Sequence, residues 1–254
     1  MPAIIDHKSF KQPENPNLKL WRYMDFKKFV SLISKKGLFF CRADLFQDPY
    51  EGSYSQANKS MRDKVYSDES GTLSKTIDDA LEFQNTTLAK FRRQWYYVNC
   101  WHANEFESAA MWDLYSDGDG AIAIQTNYQN LQNHLPDQCY MGLINYIDYR
   151  TEWLPEGNTF YPFMHKRKSF MHENEVRVII NDEASIPTND KGWNLDSKNP
   201  KYGEFVPIEL NEIISEITIS PLTPSWMVEA IKDVCEKYGV SSPIKLSDLY
   251  NDPF

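Results

Sequence analysis

The 254-residue sequence predicts a single α+β domain with a split, mainly antiparallel central sheet flanked by helices. Predicted strands and helices are mixed along the chain without the regular β-α-β alternation of a doubly wound sheet. Short turns separate several neighbouring strands, which favours antiparallel pairing. A hydrophobic content of 41% beside 25% charged residues is typical of soluble globular proteins with a real core.

Composition also limits the function. The net charge of −9 disfavours a protein that works by non-specific phosphate neutralisation, although a local basic patch could still hold nucleic acid. The four cysteines are widely spaced and predict reduced core residues, and no Cys or His spacing indicates a metal, so we expect none. The chain has neither a signal-peptide pattern nor a long apolar run. We therefore expect a cytoplasmic protein without membrane contact.

Two polar segments stand apart from the predicted core. Residues 1–17 contain three prolines and predict an N-terminal arm that is mobile or laid on the surface, ahead of a domain at 18–254. Residues 54–94 are polar and glycine-poor with helical character, and they predict a helical insertion packed on that domain.

The remaining elements follow from hydrophobic periodicity. A strand at 18–24 leads to Asp25, which can cap a helix that Gly37 ends, and a second strand follows. Residues 116–120 predict a turn, and 163–170 predict a basic helical segment. Further strands are predicted at 38–43, 96–102, 121–126, 143–149, 172–180, 205–208 and 217–220, and further helices at 107–115, 127–135 and 226–238.

The segment at 172–180 carries the most distinctive pattern. Side chains alternate across a strand, so Glu173, Glu175 and Arg177 share one face while Val176 and Val178 share the other. Two carboxylates roughly 7 Å apart along a strand form a rigid array with the guanidinium. Such an array can orient a sugar hydroxyl, hold a cation or be a solvated, salt-bridged face.

Three blocks in order along the chain carry a family resemblance. They are LWRY (20–23) with FQDPYE (46–51), VNCW (98–101) with MWDLY (111–115), and KSFMHENEVR (168–177). This arrangement resembles the bacterial and phage family catalogued as domain of unknown function 2971. That family pairs an N-D-P-F/Y-E block with M-W-x-x-Y and E-x-E-x-R blocks in this order. The resemblance covers about residues 18–250, with Gln47 where the family usually has Asn.

The family layout is similar to the ADP-ribosyltransferase fold, which implies NAD as substrate. By this resemblance Arg22, with Tyr23 beside it, lies on the first strand and pairs with the pyrophosphate. Trp112 or Tyr115 stacks on nicotinamide. Glu175 stabilises the ribosyl cation that forms when nicotinamide leaves.

We expect supporting roles for four more residues. Glu173 orients the acceptor, and Arg177 keeps both carboxylates ionised. Asp48 and Glu51 are candidate substrate contacts, although a turn that locks their loop is the favoured role. The Ser-Thr-Ser block of arginine-specific transferases is missing, so the acceptor, a protein or a nucleic acid, cannot be inferred.

Three functions remain open. The first is an NAD-using transferase or glycohydrolase acting as a toxin or phage-defence effector. The second is a metal-dependent hydrolase or nuclease in which Asp48, Glu51, Glu173 and Glu175 surround Mg²⁺. The third is a non-catalytic module that binds a ligand or a protein.

Overall fold

The computed structural model describes residues 2–69, 71–115 and 120–253. Within these ranges, nine strands form one open, mainly antiparallel sheet flanked by helices, which confirms the predicted mixed class. These nine strands are β1 (Lys19–Asp25), β2 (Gly37–Arg42), β3 (Tyr96–Ala103), β4 (Ala121–Asn127), β5 (Cys139–Leu143), β8 (Glu175–Asn181), β11 (Gly203–Pro207), β12 (Glu216–Ile219) and β13 (Ile244–Leu246). Two separate two-stranded sheets consist of β6 (Asn145–Ile147) with β7 (His165–Arg167) and of β9 (Thr188–Asn189) with β10 (Gly192–Trp193).

Helices surround this sheet. They are α1 (Phe26–Lys35), α2 (Gln56–Ser60), α3 (Arg62–Tyr66), α4 (Lys75–Phe83), α5 (Ala89–Arg92), α6 (Ala109–Tyr115), α7 (Tyr128–His134), α8 (Leu210–Ile213) and α9 (Ser225–Lys237). A π-helical turn at Gln84–Leu88 joins α4 to α5. Four of the five predicted turn residues at 116–120 lie outside the described residues.

The first helix begins where the sequence predicts and ends one residue early. The Asp25 carboxylate accepts the backbone N–H of Lys28 at 2.8 Å and caps α1. Lys36, with a φ of 47°, ends the helix in the left-handed conformation, so the prediction that Gly37 is the stop is wrong. Gly37 instead begins β2, where an added Cβ would lie 3.0 Å from the carbonyl oxygen of Val206.

The sheet divides at β3. This strand pairs with β8 along nearly its whole length, from Tyr96 to His102. It pairs with β2 only at Tyr97 and Val98, and with β1 only at His102 and Ala103. One branch continues from β2 to β11 and the other from β1 through β4 and β12 to β13. The strands β1 and β2 therefore diverge and leave residues 99–101 facing an opening.

Side chains donate hydrogen bonds to backbone carbonyl groups across this opening. The Asn99 amide donates to the carbonyl of Phe39 on β2 at 2.9 Å, and the Arg22 guanidinium donates to the carbonyl of Cys100 at 2.8 Å. Because backbone carbonyls need hydrogen-bond partners when they lose contact with water, these side chains stabilise the gap. These hydrogen bonds show that the gap between β1 and β2 is a stabilised feature of the sheet.

The N-terminal segment lies along β5. Ile4 and Lys11 form isolated bridges to Tyr140 and Leu143, and Phe10 is buried. Gly142 permits this approach, since an added Cβ there would lie 2.8 Å from the Cβ of Phe10. The segment thereby covers part of the edge strand.

The predicted helical segment at 163–170 is wrong. His165–Arg167 instead form β7, which pairs in parallel with β6, and a 3₁₀ helix covers Lys168–Glu173. Pairing with a distant strand overrides the local helical character of this basic stretch. Across the described ranges, no helix combines the length and apolar character needed to cross a membrane.

Candidate functional site

A cavity of about 530 Å³ occupies the opening in the sheet, a size typical of small-molecule sites. Its walls come from β1, α1, β2, β3 and α6 and from the start of β8. Five of the predicted site residues line it: Arg22, Tyr23, Tyr115, Glu173 and Glu175. The blocks that are distant in sequence therefore converge on one cavity.

Arg22 gives the cavity a positive charge. Within the described part of the chain, no carboxylate lies within 4.0 Å of its guanidinium, which donates to the Cys100 carbonyl and lies 6.0 Å from the centre of the Trp101 ring. Burial lowers the pKa of Arg22, although arginine stays protonated in proteins. The site thus holds a cation that no neighbouring carboxylate neutralises.

Aromatic rings supply a second wall. Tyr115 is 38% exposed, and burial with nearby anionic groups raises its pKa to about 12. The Tyr23 ring lines the cavity while its hydroxyl accepts the backbone N–H of Ser108 at 2.9 Å. Trp112 lies outside the lining, buried against Tyr23 with its indole N–H donated to Glu107 at 2.8 Å. Trp112 therefore supports Tyr23 and offers no surface for nicotinamide.

The charged strand face is buried, which overturns the interpretation of a solvated face. Arg177 is 0% exposed, and Glu175 and Glu51 are each 3% exposed. The guanidinium donates to Glu175 at 2.6 and 3.0 Å, to Glu51 at 2.8 and 3.1 Å, and to the carbonyl of Phe163 at 2.6 Å. Arg177 and Glu51 lie behind the cavity wall and hold Glu175 in place.

Glu173 does not lie on the strand, contrary to the prediction. Asn174 adopts the left-handed conformation with a φ of 36°, and β8 begins only at Glu175. The Nδ1 atom of His102 lies 2.7 Å from the Glu173 carbonyl oxygen. Because a carbonyl can only accept a hydrogen bond, His102 carries its hydrogen on Nδ1 and donates it to Glu173. The left-handed residue turns the Glu173 side chain away from the strand pattern and into the cavity lining.

Lys166 belongs to the charged cluster at this site, and the sequence analysis did not predict it. Its ammonium lies 2.5 Å from Glu173, 3.3 Å from Glu175 and 3.6 Å from Glu51. The only sequence signal is the basic run at 166–168, and the expectation of a helix there concealed it. The position of this side chain depends on the pairing of β7 with β6.

This geometry does not favour the metal-dependent alternative. Three of its four proposed ligands converge on the Lys166 ammonium, so a lysine supplies the cation that they surround. The fourth, Asp48, binds Arg167 at 2.8 Å instead. No group of His, Cys, Asp and Glu side chains suited to a metal ion occurs in the described ranges.

The loop at 48–52 has a structural role. The Asp48 carboxylate accepts the backbone N–H of Tyr50 at 3.1 Å as well as the Arg167 guanidinium. Gly52 has a φ of 66°, and an added Cβ would lie 2.5 Å from the Phe163 ring. This tight path brings Glu51 beneath Arg177. Asp48 and Glu51 therefore build the site from outside the cavity.

The charges are unevenly distributed. Among the described residues, the carboxylates of Glu51, Glu173 and Glu175 form ion pairs only with Arg177 and Lys166. Three carboxylates and two cations therefore give the cluster a net charge of −1 when all are ionised. Burial alone would raise the pKa of Glu175, but the two cations outweigh it and lower that pKa to about 2. Burial raises the pKa of Glu173, against the opposing effect of Lys166. Negative charge at one wall thus complements the positive charge of Arg22.

The lowered pKa of Glu175 predicts acid sensitivity. An ionised Glu175 stabilises the fold above the ordinary glutamate pKa near 4.5, and this contribution is lost as pH falls towards about 2. We expect Glu175→Gln to be less stable than wild type at pH 6, with the difference shrinking between pH 4.5 and 2. Urea unfolding at several pH values measures it. A difference independent of pH would contradict this role.

No protein-family model matches this chain, and no curated protein matches it either. The assignment of function consequently depends on the geometry of the site.

Proposed function

We propose that the cavity binds NAD and that the protein is an ADP-ribosyltransferase-like enzyme or NAD glycohydrolase. The observation that carries this proposal is a pair of opposite charges in one cavity. Arg22 has no carboxylate within 4.0 Å among the residues that the structure describes, and Glu173 belongs to a cluster of net negative charge. NAD has the complementary distribution, because its pyrophosphate is anionic and its pyridinium ring is cationic. The guanidinium fork suits the pyrophosphate, and the exposed face of Tyr115 suits a planar ring.

The proposed chemistry is cleavage of the nicotinamide–ribose bond. The electron pair of that bond leaves with nicotinamide, which becomes neutral, and positive charge develops on the ribose. Oε2 of Glu173 binds Lys166, while its Oε1 has no hydrogen bond within the described residues and can approach this charge. Water or an acceptor group then bonds to the ribose carbon and releases its proton to solvent.

Glu173 is the better placed of the two predicted catalytic carboxylates. Both oxygens of Glu175 accept hydrogen bonds from Arg177, which neutralises much of its charge. We therefore assign the direct contact with ribose to Glu173 and the organisation of the wall to Glu175. This order reverses the one that the sequence predicts.

Arg22→Met tests the assignment of the pyrophosphate. Losing a charge-assisted hydrogen bond to a bound anion costs about 1.5–3 kcal/mol, so we expect NAD to bind about 10- to 100-fold more weakly. Titration calorimetry measures the affinity, and chromatography of released nicotinamide measures turnover. Arg150→Met is the matched control, since Arg150 is exposed, pairs with Asp148 and lies outside this cavity.

Two results would count against the proposal. Wild-type protein that neither binds nor consumes NAD would reject it outright. Unchanged NAD affinity in a folded Arg22→Met protein would remove the assignment of the pyrophosphate to Arg22.

The engagement of Glu175 favours one alternative, a binding module without turnover. A carboxylate held by a buried guanidinium rigidifies a wall whether or not a bond is broken. NAD that binds in calorimetry but releases no nicotinamide, with or without candidate acceptors, would identify this module.

The wider biological role forms part of the same proposal. Membership of the domain of unknown function 2971 family, and a role as a toxin or phage-defence effector, would fit an NAD-consuming enzyme. The acceptor class can be tested by incubating the protein with labelled NAD and cell extract. Label sensitive to protease or to nuclease would identify a protein or a nucleic-acid acceptor respectively.

A further inference from the structure

We propose that Lys166 is a positioning residue of this reaction, whose ammonium holds the Glu173 carboxylate in one orientation and one charge state. The inference rests on the proposed function of the cavity and adds a residue that does not touch the substrate. Lys166 is 8% exposed and does not line the cavity, so its action passes through Glu173.

The contacts of Lys166 give it this role. Its shortest contact, 2.5 Å, is to Oε2 of Glu173, a residue of the cavity lining whose Oε1 has no hydrogen bond within the described residues. The ammonium also lies 4.9 Å from the centre of the Phe170 ring, within the range of a cation–π contact. Contacts on several sides fix the ammonium, and the ammonium in turn fixes one carboxylate oxygen.

Glu173 needs a nearby cation to stay ionised, because a second carboxylate lies close to it. Glu173 and Glu175 share Lys166, and like charges so close oppose the ionisation of both carboxylates. Arg177 bonds directly to Glu175 and Glu51, so its guanidinium does not replace the ammonium at Glu173. The titratable and charged groups that face Glu173 are His102 on β3, Tyr115 on α6, Tyr146 on β6, Lys166 on β7, and Glu175 and Arg177 on β8. Glu51 acts on the same ammonium, 3.6 Å from Lys166.

The test compares three variants of the full chain. Lys166→Met removes the charge, Lys166→Arg keeps it, and Lys168→Met is the control because Lys168 is 53% exposed and pairs with Glu152. Carbon-13 labelling of the glutamate carboxyls allows the titration of Glu173 to be followed by NMR, with Glu173→Gln identifying its signal. Nicotinamide release gives kcat/KM as a function of pH.

The expected result follows from the loss of a neighbouring cation. In Lys166→Met the midpoint of the Glu173 titration moves to higher pH by at least about one unit, the usual effect of losing a neighbouring opposite charge. The acidic limb of the kcat/KM profile moves to higher pH by the same amount, because the ionised carboxylate is the active form. Lys166→Arg and Lys168→Met keep both curves near those of the wild type.

Each failure has its own signature. An unmoved Glu173 titration in Lys166→Met overturns the role of Lys166, whatever the enzyme does with NAD. A titration that moves while wild-type protein consumes no NAD upholds the control of Glu173 and rejects the proposed function. Should the Met variant fail to fold, Lys166→Gln removes the charge while keeping a polar group, and the same criteria apply.

Discussion

Replacing Arg177 with Met is expected to destabilise the protein by about 3–5 kcal/mol, the usual cost of removing one partner from a buried ion pair. The guanidinium is 0% exposed and makes five hydrogen bonds, to Glu51, Glu175 and the Phe163 carbonyl. Without it, two buried carboxylates would share only the Lys166 ammonium. The free energy of unfolding in urea, from linear extrapolation, measures the loss.

A double-mutant cycle identifies the cause of this loss. Glu51→Gln alone should destabilise the fold, but in the Arg177→Met background it should cost less or even restore stability, because one uncompensated anion is removed. Arg150→Met is the control, an exposed arginine whose loss should leave the unfolding midpoint unchanged. Additive effects of the two buried substitutions would show that they do not act through their mutual contact.

The alternation of side chains was sufficient to predict much of the fold. Val176 and Val178 enter the main core on one face of β8, as the period of two requires. The same period puts Arg177 on the other face but cannot reveal what covers that face. A second hydrophobic cluster covers it, in which Ile179 of β8 packs with Phe163 and other residues distant in sequence. The pattern alone therefore could not distinguish a buried charge array from an open, solvated face.

Backbone conformation explains why the predicted end of α1 and the predicted start of β8 were both misplaced. Lys36 and Asn174 both have positive φ, which few residues other than glycine adopt. Asn tolerates this conformation best, so an Asn between two Glu residues was the available signal for a break in the strand. Lysine gave no such signal, and Gly37 was the natural but wrong choice for the end of the helix. Local propensity cannot distinguish a terminating glycine from one that permits close packing.

The convergence of the site could be predicted only from polar and aromatic residues that recur on elements with an apolar opposite face, and from the resemblance. Arg22, Tyr115 and Glu175 are far apart in sequence, and no periodicity relates them. The opening that brings them together arises because β3 pairs with β2 and β1 at opposite ends. Partial pairing of this kind does not change the alternation of hydrophobic residues in the sequence. The cavity could therefore be identified only from the structure.

Replacing Glu173 with Gln is expected to lower kcat for nicotinamide release by at least about 100-fold, the usual effect of losing one electrostatic stabiliser of a transition state. Gln keeps the size of the side chain and can still accept a hydrogen bond from Lys166. The change removes the charge that would oppose the ribosyl cation. Release of nicotinamide at saturating NAD measures kcat, and calorimetry should find NAD affinity changed far less than kcat.

Charge balance separates catalysis from folding in this experiment. The cluster has three carboxylates and two cations, so losing Glu173 leaves two of each and should preserve stability. Losing Glu175 instead leaves Arg177 with Glu51 as its only carboxylate partner and should cost stability as well as rate. If Glu175→Gln alone abolishes turnover while Glu173→Gln remains active, the ribose contact returns to Glu175, as the resemblance implied. Because each variant removes one carboxylate from the same cluster, their comparison identifies which of the two residues contacts the ribose.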